Sequence, residues 1–147
     1  MTTRNPDPAD LIARDCLAVR ARLLSRVVCS VYDEALRPLG LKASQLNVLV
    51  AIQKLGPCAP GAIADALQLE KSSLSRNVER LRQNGWVAVE AADDARSHRL
   101  VVTAAGTRLL AAALEPWRAA QRRTRQVLGA DGAAALRRLG TALMGTV

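Results

Sequence analysis

The chain has 147 residues, half of them apolar, with 21 Lys and Arg against 13 Asp and Glu, a formal charge of +8. That length suits a single domain able to bury roughly two-thirds of its unfolded surface, and no apolar run reaches the ~18 residues of a membrane span. The cationic surplus points to nucleic acid or an acidic surface, while the absence of Phe and the abundance of Leu, Ala and Val favour helices packed through aliphatic ridges.

Met1 to Asp10 is polar, contains Pro6 and Pro8, and reads as a loose tail rather than a signal peptide. A first helix is expected over Pro8 to Leu36, with Asp10 as its N-cap. Leu17, Ala21, Leu24, Val28, Val31 and Ala35 alternate steps of four and three, a heptad seam that marks an interhelical interface. Arg14, Arg20, Arg22, Arg26 and Arg37 fall off that seam. Pro38-Leu39-Gly40-Leu41 breaks the helix. Ser44 is then expected to cap a helix carrying Leu46, Leu49, Val50 and Ile52, which stops at Gly56-Pro57. Cys58 to Gly61 is a connector with room for a residue or two of strand.

Ile63, Ala64 and Leu67 form the inner face of a short helix, and Leu69-Glu70-Lys71 turns into the next. In that next helix Leu74, Val78 and Leu81 share one face. At 3.6 residues per turn, Ser72, Arg76 and Gln83 point away from it, Ser73, Glu79 and Arg80 lie on its flanks, and Asn77 sits nearer the boundary. Small hydroxyls at the leading end with guanidinium groups behind them suit a helix lying in a DNA major groove. Asn84-Gly85 supplies a left-handed stop, and Trp86 to Val89 reads as strand. Ala92 to Ser97 is a polar turn, His98 to Val102 returns as a second strand, and Thr103 caps a new helix. A recognition-type helix followed at once by a hairpin with a charged tip is a winged helix-turn-helix.

From Thr103 to Gly129 a long helix is expected, with Leu109, Leu110, Ala113, Leu114 and Trp117 on one side and a kink at Pro116. Arg118, Arg122, Arg123 and Arg125 cluster beyond it, and Asp131 is placed to cap a last helix bearing Leu136, Leu139 and Leu143.

The stretch LEKSSLSRNVERLRQNGWV, then DDARSHRLVVTAAG, resembles the MarR family of bacterial transcription regulators. The family pattern is S-[ST]-x-S-R-x-x-x-x-L-x-x-x-G, then D-x-R-[SA] at the wing and L-T-x-x-G after it; here Val102 replaces the Leu before Thr103. The likeness runs from about Leu17 to the C-terminus. It implies a mainly α fold, a winged helix-turn-helix over 44–103 with N- and C-terminal dimerisation helices over 8–37 and 104–147, all in one domain of residues 1–147. It further implies a homodimeric repressor on a pseudo-palindromic duplex. Ser72, Ser73, Arg76 and Asn77 would enter the major groove, Ser75 and Arg80 would meet phosphates, and Arg96, with Ser97 beside it and Asp94 holding it, would reach the minor groove. Many relatives release DNA when a small aromatic or anionic ligand enters between the dimer helices and the winged unit; Arg20, Arg22, Trp117 and Arg118 are the candidates for an anionic aromatic. Others respond to oxidation of a cysteine in the first helix. Cys16 lies in that helix, about a turn or less from the usual sensing position, which is Ala18 here, and the supporting pair of tyrosines is missing.

Other classes fit the residues less well. The lone histidine, His98, sits on a wing strand rather than beside a nucleophile, and there is neither a Gly-rich phosphate loop nor C-x-x-C or H-x-x-x-H spacing, so neither catalysis, metal nor cofactor is expected. An RNA-binding module would present aromatics for base stacking; Tyr32, Trp86 and Trp117 are the only ones, and none falls on the exposed recognition face. A helical interaction protein without DNA leaves the Asp94 to Ser97 tip without a purpose. Cys16, Cys29 and Cys58 are widely spaced and odd in number, which suits a reduced cytoplasm. One tension remains within Pro60 to Thr103, where six basic residues (Lys71, Arg76, Arg80, Arg82, Arg96, Arg99) meet six acids (Asp65, Glu70, Glu79, Glu90, Asp93, Asp94). Either the signs sort onto opposite faces, which the helix geometry favours, or the surplus on the flanking helices serves another partner.

Overall fold

The computed structural model describes residues 7–91 and 98–144. Helix α1 spans Pro8–Asp15 and α2 spans Leu17–Leu36, so the one N-terminal helix expected is two, divided at Cys16 (φ −66°, ψ 110°). Asp7 caps α1 in place of Asp10: its Oδ1 accepts from the Ala9 N–H at 3.2 Å, and Pro8 opens the helix where a missing N–H costs nothing. Asp10 falls in the first turn, where its charge favours the positive helix end. At the break, the Arg20 guanidinium donates to the carbonyls of Cys16, at 3.1 Å, and of Arg14.

A one-turn 3-10 segment, Arg37–Leu39, leads through left-handed Gly40 (φ 65°) into α3, Ala43–Leu55. Ser44 is not the cap of α3, because it already lies inside the helix. The Ala43 N–H instead donates to Asp33 Oδ1 of α2 at 2.7 Å, and the Lys42 N–H to Gln45 Oε1 at 2.9 Å. Gly56 (φ 74°) ends the helix as expected. Helix α4, Pro60–Leu67, ends on Gln68, a non-glycine residue at φ 50°. The Leu69 N–H then reaches Ala64 O at 2.9 Å and the Gln68 N–H reaches Asp65 O at 3.2 Å, the paired bonds of a Schellman stop.

Helix α5 spans Lys71–Gln83 and buries Leu74 and Leu81. It ends in the same motif with the expected glycine: Gly85 stands at φ 71°, its N–H bonds Arg82 O at 2.8 Å, and the Trp86 N–H bonds Leu81 O at 2.9 Å. Strands β1 (Val87–Ala91) and β2 (His98–Val102) pair antiparallel, Val87 opposite Val102 and Ala91 opposite His98. Cys58 adds the expected third strand residue, exchanging both backbone bonds with Leu100 at 2.8 and 3.3 Å. Helix α6 runs over Ala104–Met144. Its dihedrals stay helical through Pro116 and fail at Gly129 (φ 71°, ψ 168°), so the break lies there and Asp131 sits in the first turn of the second arm.

The core joins these pieces around Leu36, Leu41, Val48, Leu49, Ile52, Ile63 and Leu81, all at 2% exposure or less, with Leu74, Val87, Leu100, Leu109 and Ala113 packed on them. The α2 seam divides in two. Its lower residues, Val31 and Ala35, pack within the chain, whereas Leu17 is 79% exposed and Ala21 is open to solvent. Among the described residues no helix is long and apolar enough to cross a membrane.

At the root of the ribbon, Thr103 does three things. Its N–H donates to Trp86 O at 3.1 Å, its hydroxyl donates to Gly85 O at 2.6 Å, and the same oxygen accepts from the Gly106 N–H at 3.1 Å as the α6 cap. Thr103→Ala removes both side-chain bonds and is expected to lower stability by about 1–2 kcal/mol, with Thr103→Ser restoring most of it, read by urea unfolding. Gly106 packs under the same carbonyl: a Cβ there would overlap Trp86 O and stand 2.7 Å from Val102 Cγ1. In an open helix Gly→Ala gains about 1 kcal/mol. Here Gly106→Ala is expected to reverse that sign and lose about 1–3 kcal/mol.

Candidate nucleic-acid interface

Helix α5 is held from beneath by Leu74 and Leu81, with Val78 half-buried beside them, which turns its other side outward. Ser72, Ser75, Arg76, Arg80 and Gln83 are exposed there, while Ser73 and Asn77 are half-buried on the flank. The Arg76 guanidinium reaches back to Ser73 Oγ at 3.4 Å. Facing this side is the start of α3, and together they enclose a concavity of about 700 Å³ lined by Lys42, Ser44, Gln45, Ser75, Arg76, Asn77, Glu79 and Arg80 among others.

The charges in this concavity do not sort by face. Glu79 lines it beside Arg76 and Arg80. Its two oxygens are engaged along the helix, by Arg82 Nη1 at 3.4 Å and Gln83 Nε2 at 3.1 Å. The acid is thereby matched to Arg82. Among the described residues Arg76 and Arg80 make no ion pair, so the positive charge left over sits where α5 faces solvent.

Asn77 is engaged at both ends of its amide. Its Nδ2 donates to Ser73 O at 3.1 Å, and its Oδ1 accepts from Ser44 Oγ of α3 at 3.1 Å. Ser44 has the chemistry of a cap, which hides this second role in the sequence; Lys42 and Gln45, which also line the concavity, carry no motif signal. The wing residues Asp94, Arg96 and Ser97 lie outside the described residues. Their strands do bring His98, exposed on β2, opposite Ala91.

The expected effector residues are not gathered in one place within a chain. Trp117 lines an apolar groove of about 590 Å³ between α3, α4 and α6, with Val50, Lys54, Leu55, Leu114 and Met144. Arg20, Arg22 and Arg118 do not line it. Arg20 serves the α1–α2 break, and Arg118 pairs with Glu115 one turn before it. Lys54 is the cation the groove does hold, and no pattern in the sequence singles it out. Cys16, half-buried, stands at the start of α2; Cys29 is exposed, its sulfur 4.0 Å from Ser25 Oγ. Cys58 is half-buried at the ribbon edge, and burial pushes its thiol above the ordinary value, away from thiolate character. Among the described residues no group of His, Cys, Asp and Glu could hold a metal ion.

Known proteins share this arrangement. The family model described as MarR family matches residues 39–97, from the turn before α3 to the residue before β2. The uncharacterized HTH-type transcriptional regulator YwoH of Bacillus subtilis (strain 168) is 33% identical over 79 residues, covering 54% of this chain and 58% of that protein. The likeness to YwoH therefore spans little more than half of either. The transcriptional regulator MosR of M. tuberculosis, solved in complex with DNA, is 31% identical, covers 90% of this chain and 96% of its own, and superposes with a TM-score of 0.76. A mutant MarR of E. coli complexed with operator DNA has the same fold at 22% identity and a TM-score of 0.78, over 90% of this chain and 96% of that one. The recognition helix, the ribbon beside it and these likenesses together lead to one conclusion: the chain belongs to the MarR family, a family of transcription regulators.

Proposed function

We propose that the chain acts in the cytoplasm as a homodimeric repressor that binds a pseudo-palindromic duplex through α5 and the wing. The observation that carries this reading is the outward face of α5, where, among the described residues, Arg76 and Arg80 make no ion pair while Glu79 is taken by Arg82. Ser72, Ser73 and Arg76 would face base edges, and Ser75 and Arg80 the phosphates. Arg96, which Asp94 would hold and Ser97 would flank, would enter the minor groove, whose negative potential is greatest where A·T pairs narrow it. DNA on MosR, the relative at 31% identity, supports the same partner here.

A second copy of the chain would cover the open half of the α2 seam. Leu11, Ile12, Leu17, Val19 and Leu23 at one end of the chain are exposed, and so are Val127, Leu139 and Leu143 at the other. Apolar surface of that extent on helix termini favours an obligate partner.

Release from DNA would follow a ligand or an oxidant. The groove at Trp117 is apolar, with Lys54 at its edge, and suits a small anionic aromatic wedged between α6 and the winged unit. Arg20, Arg22 and Arg118 would contribute only if a second copy brought them to it. The break before α2 favours Cys16 for the redox route, because it makes Cys16 the N-cap residue of a 20-residue helix. An organic hydroperoxide would then convert the thiol to a sulfenic acid and leave as the alcohol.

Footprinting tests the partner and the symmetry together. Saturating protein is expected to protect two half-sites about 10 bp apart; protection of one half-site alone would refute the dimeric reading. Arg80→Ala is expected to weaken all duplexes about equally and lower the salt slope by about one unit. Arg76→Ala should instead cost about 1–3 kcal/mol at the preferred sequence and little on random duplex. Operator binding by wild type and Cys16→Ser, with and without an organic hydroperoxide, separates the routes of release. Loss in the oxidised wild type alone supports Cys16, and undisturbed binding in all four mixtures leaves the Trp117 groove.

A further inference from the structure

We infer that Asn77 is a positioning residue that locks α5 to α3 through Ser44, and that it reads no base. The inference rests on the DNA-binding reading above and departs from it at this residue. Placed one position on from Arg76, Asn77 is turned about 100° round the helix, off the outward face and toward α3. Its amide orientation is fixed by chemistry, since the Ser73 carbonyl can only accept. The edge facing it at 3.1 Å must therefore be Nδ2, which leaves Oδ1 for the Ser44 hydroxyl at 3.1 Å.

Bidentate reading of adenine needs Oδ1 and Nδ2 presented together as a fork. In Asn77 each already holds an internal partner, one on its own helix and one on α3, and the two bonds fix the amide plane against the helix surface. Turning the fork outward would break both. What the pair does instead is tie the second helical position of α3 to the middle of α5, across the concavity that Arg76 and Arg80 border. The helix carrying the guanidinium groups is thus held in angle by a polar clasp on one flank and by Leu74 and Leu81 beneath. A mid-helix Asn is locally unfavourable, and this clasp accounts for its presence.

The test uses full-length wild type, Ser44→Ala, Ser44→Thr, Asn77→Ala and the double Ser44→Ala/Asn77→Ala. The probes are a duplex selected on the wild type from a random library, a random duplex of equal length, and thermal unfolding without DNA. The two single alanine variants are expected to weaken the selected duplex by a similar factor, about 3- to 10-fold, and the double no further than either. Repeating the selection on each variant should return the wild-type base preference, and Ser44→Thr, which keeps the hydroxyl, should bind as wild type. Preference lost at one base pair in Asn77→Ala but kept in Ser44→Ala would overturn the inference and make Asn77 a reader. So would single-variant losses that multiply in the double. If wild type selects no duplex at all, the DNA-binding reading fails separately. The clasp is still tested by unfolding, where Tm losses that add fully in the double variant would refute it.

Discussion

The fold depends on the few atoms where the end of α5, the root of the ribbon and the start of α6 converge. Thr103 closes this junction with its N–H and hydroxyl on two consecutive carbonyls, Trp86 and Gly85, while serving as the cap of α6. Gly106 completes it by having no side chain, which lets α6 press against the Trp86 carbonyl. The Schellman stop of α5 hands the chain to that point through Gly85. Recognition helix, ribbon and long helix therefore share one rigid corner, and a rotation of α6 is passed to α5 without an intervening flexible loop.

Electrostatics of the outward side of α5 follow from local pairing rather than from net charge. Taken as a whole, residues 60–103 are formally neutral. The structure makes a positive surface from that neutral stretch by engaging Glu79 with Arg82 and Gln83, so Arg76 and Arg80 keep their charge for solvent. Such exposed pairs contribute little to stability. Their value here lies in which guanidinium groups they leave over.

Much of this was legible in the sequence, because periodicity and glycine punctuation report backbone directly. The Leu74, Val78, Leu81 face, the Asn84-Gly85 stop, both strands, the strand residue at Cys58, the Thr103 cap and the break at Gly129 all appear where the residues place them. Failures came where one residue type has several uses. Ser44 has the chemistry of a cap, but Asp33 and Gln45 take that role from positions that no local pattern singles out. The left-handed turn after α4 falls on Gln68, not on a glycine, and carries no signal. The division at Cys16 lies within an unbroken heptad seam, and the groove at Trp117 draws on Lys54 from a helix far away in the chain. Arg20, Arg22 and Arg118 were grouped by charge and neighbourhood, which says nothing about which side of a helix meets which cavity.

The backbone exchange between Cys58 and Leu100 has a mechanical consequence. Leu100 is the middle residue of β2, so the ribbon is stapled to the α3–α4 connector halfway along its length. Beyond that staple the described part of β2 is Arg99 and His98, about 7 Å of strand at 3.3–3.4 Å per residue. The ribbon is therefore anchored to the connector between α3 and α4, and these same two helices help to line the Trp117 groove, so ribbon and groove share their support.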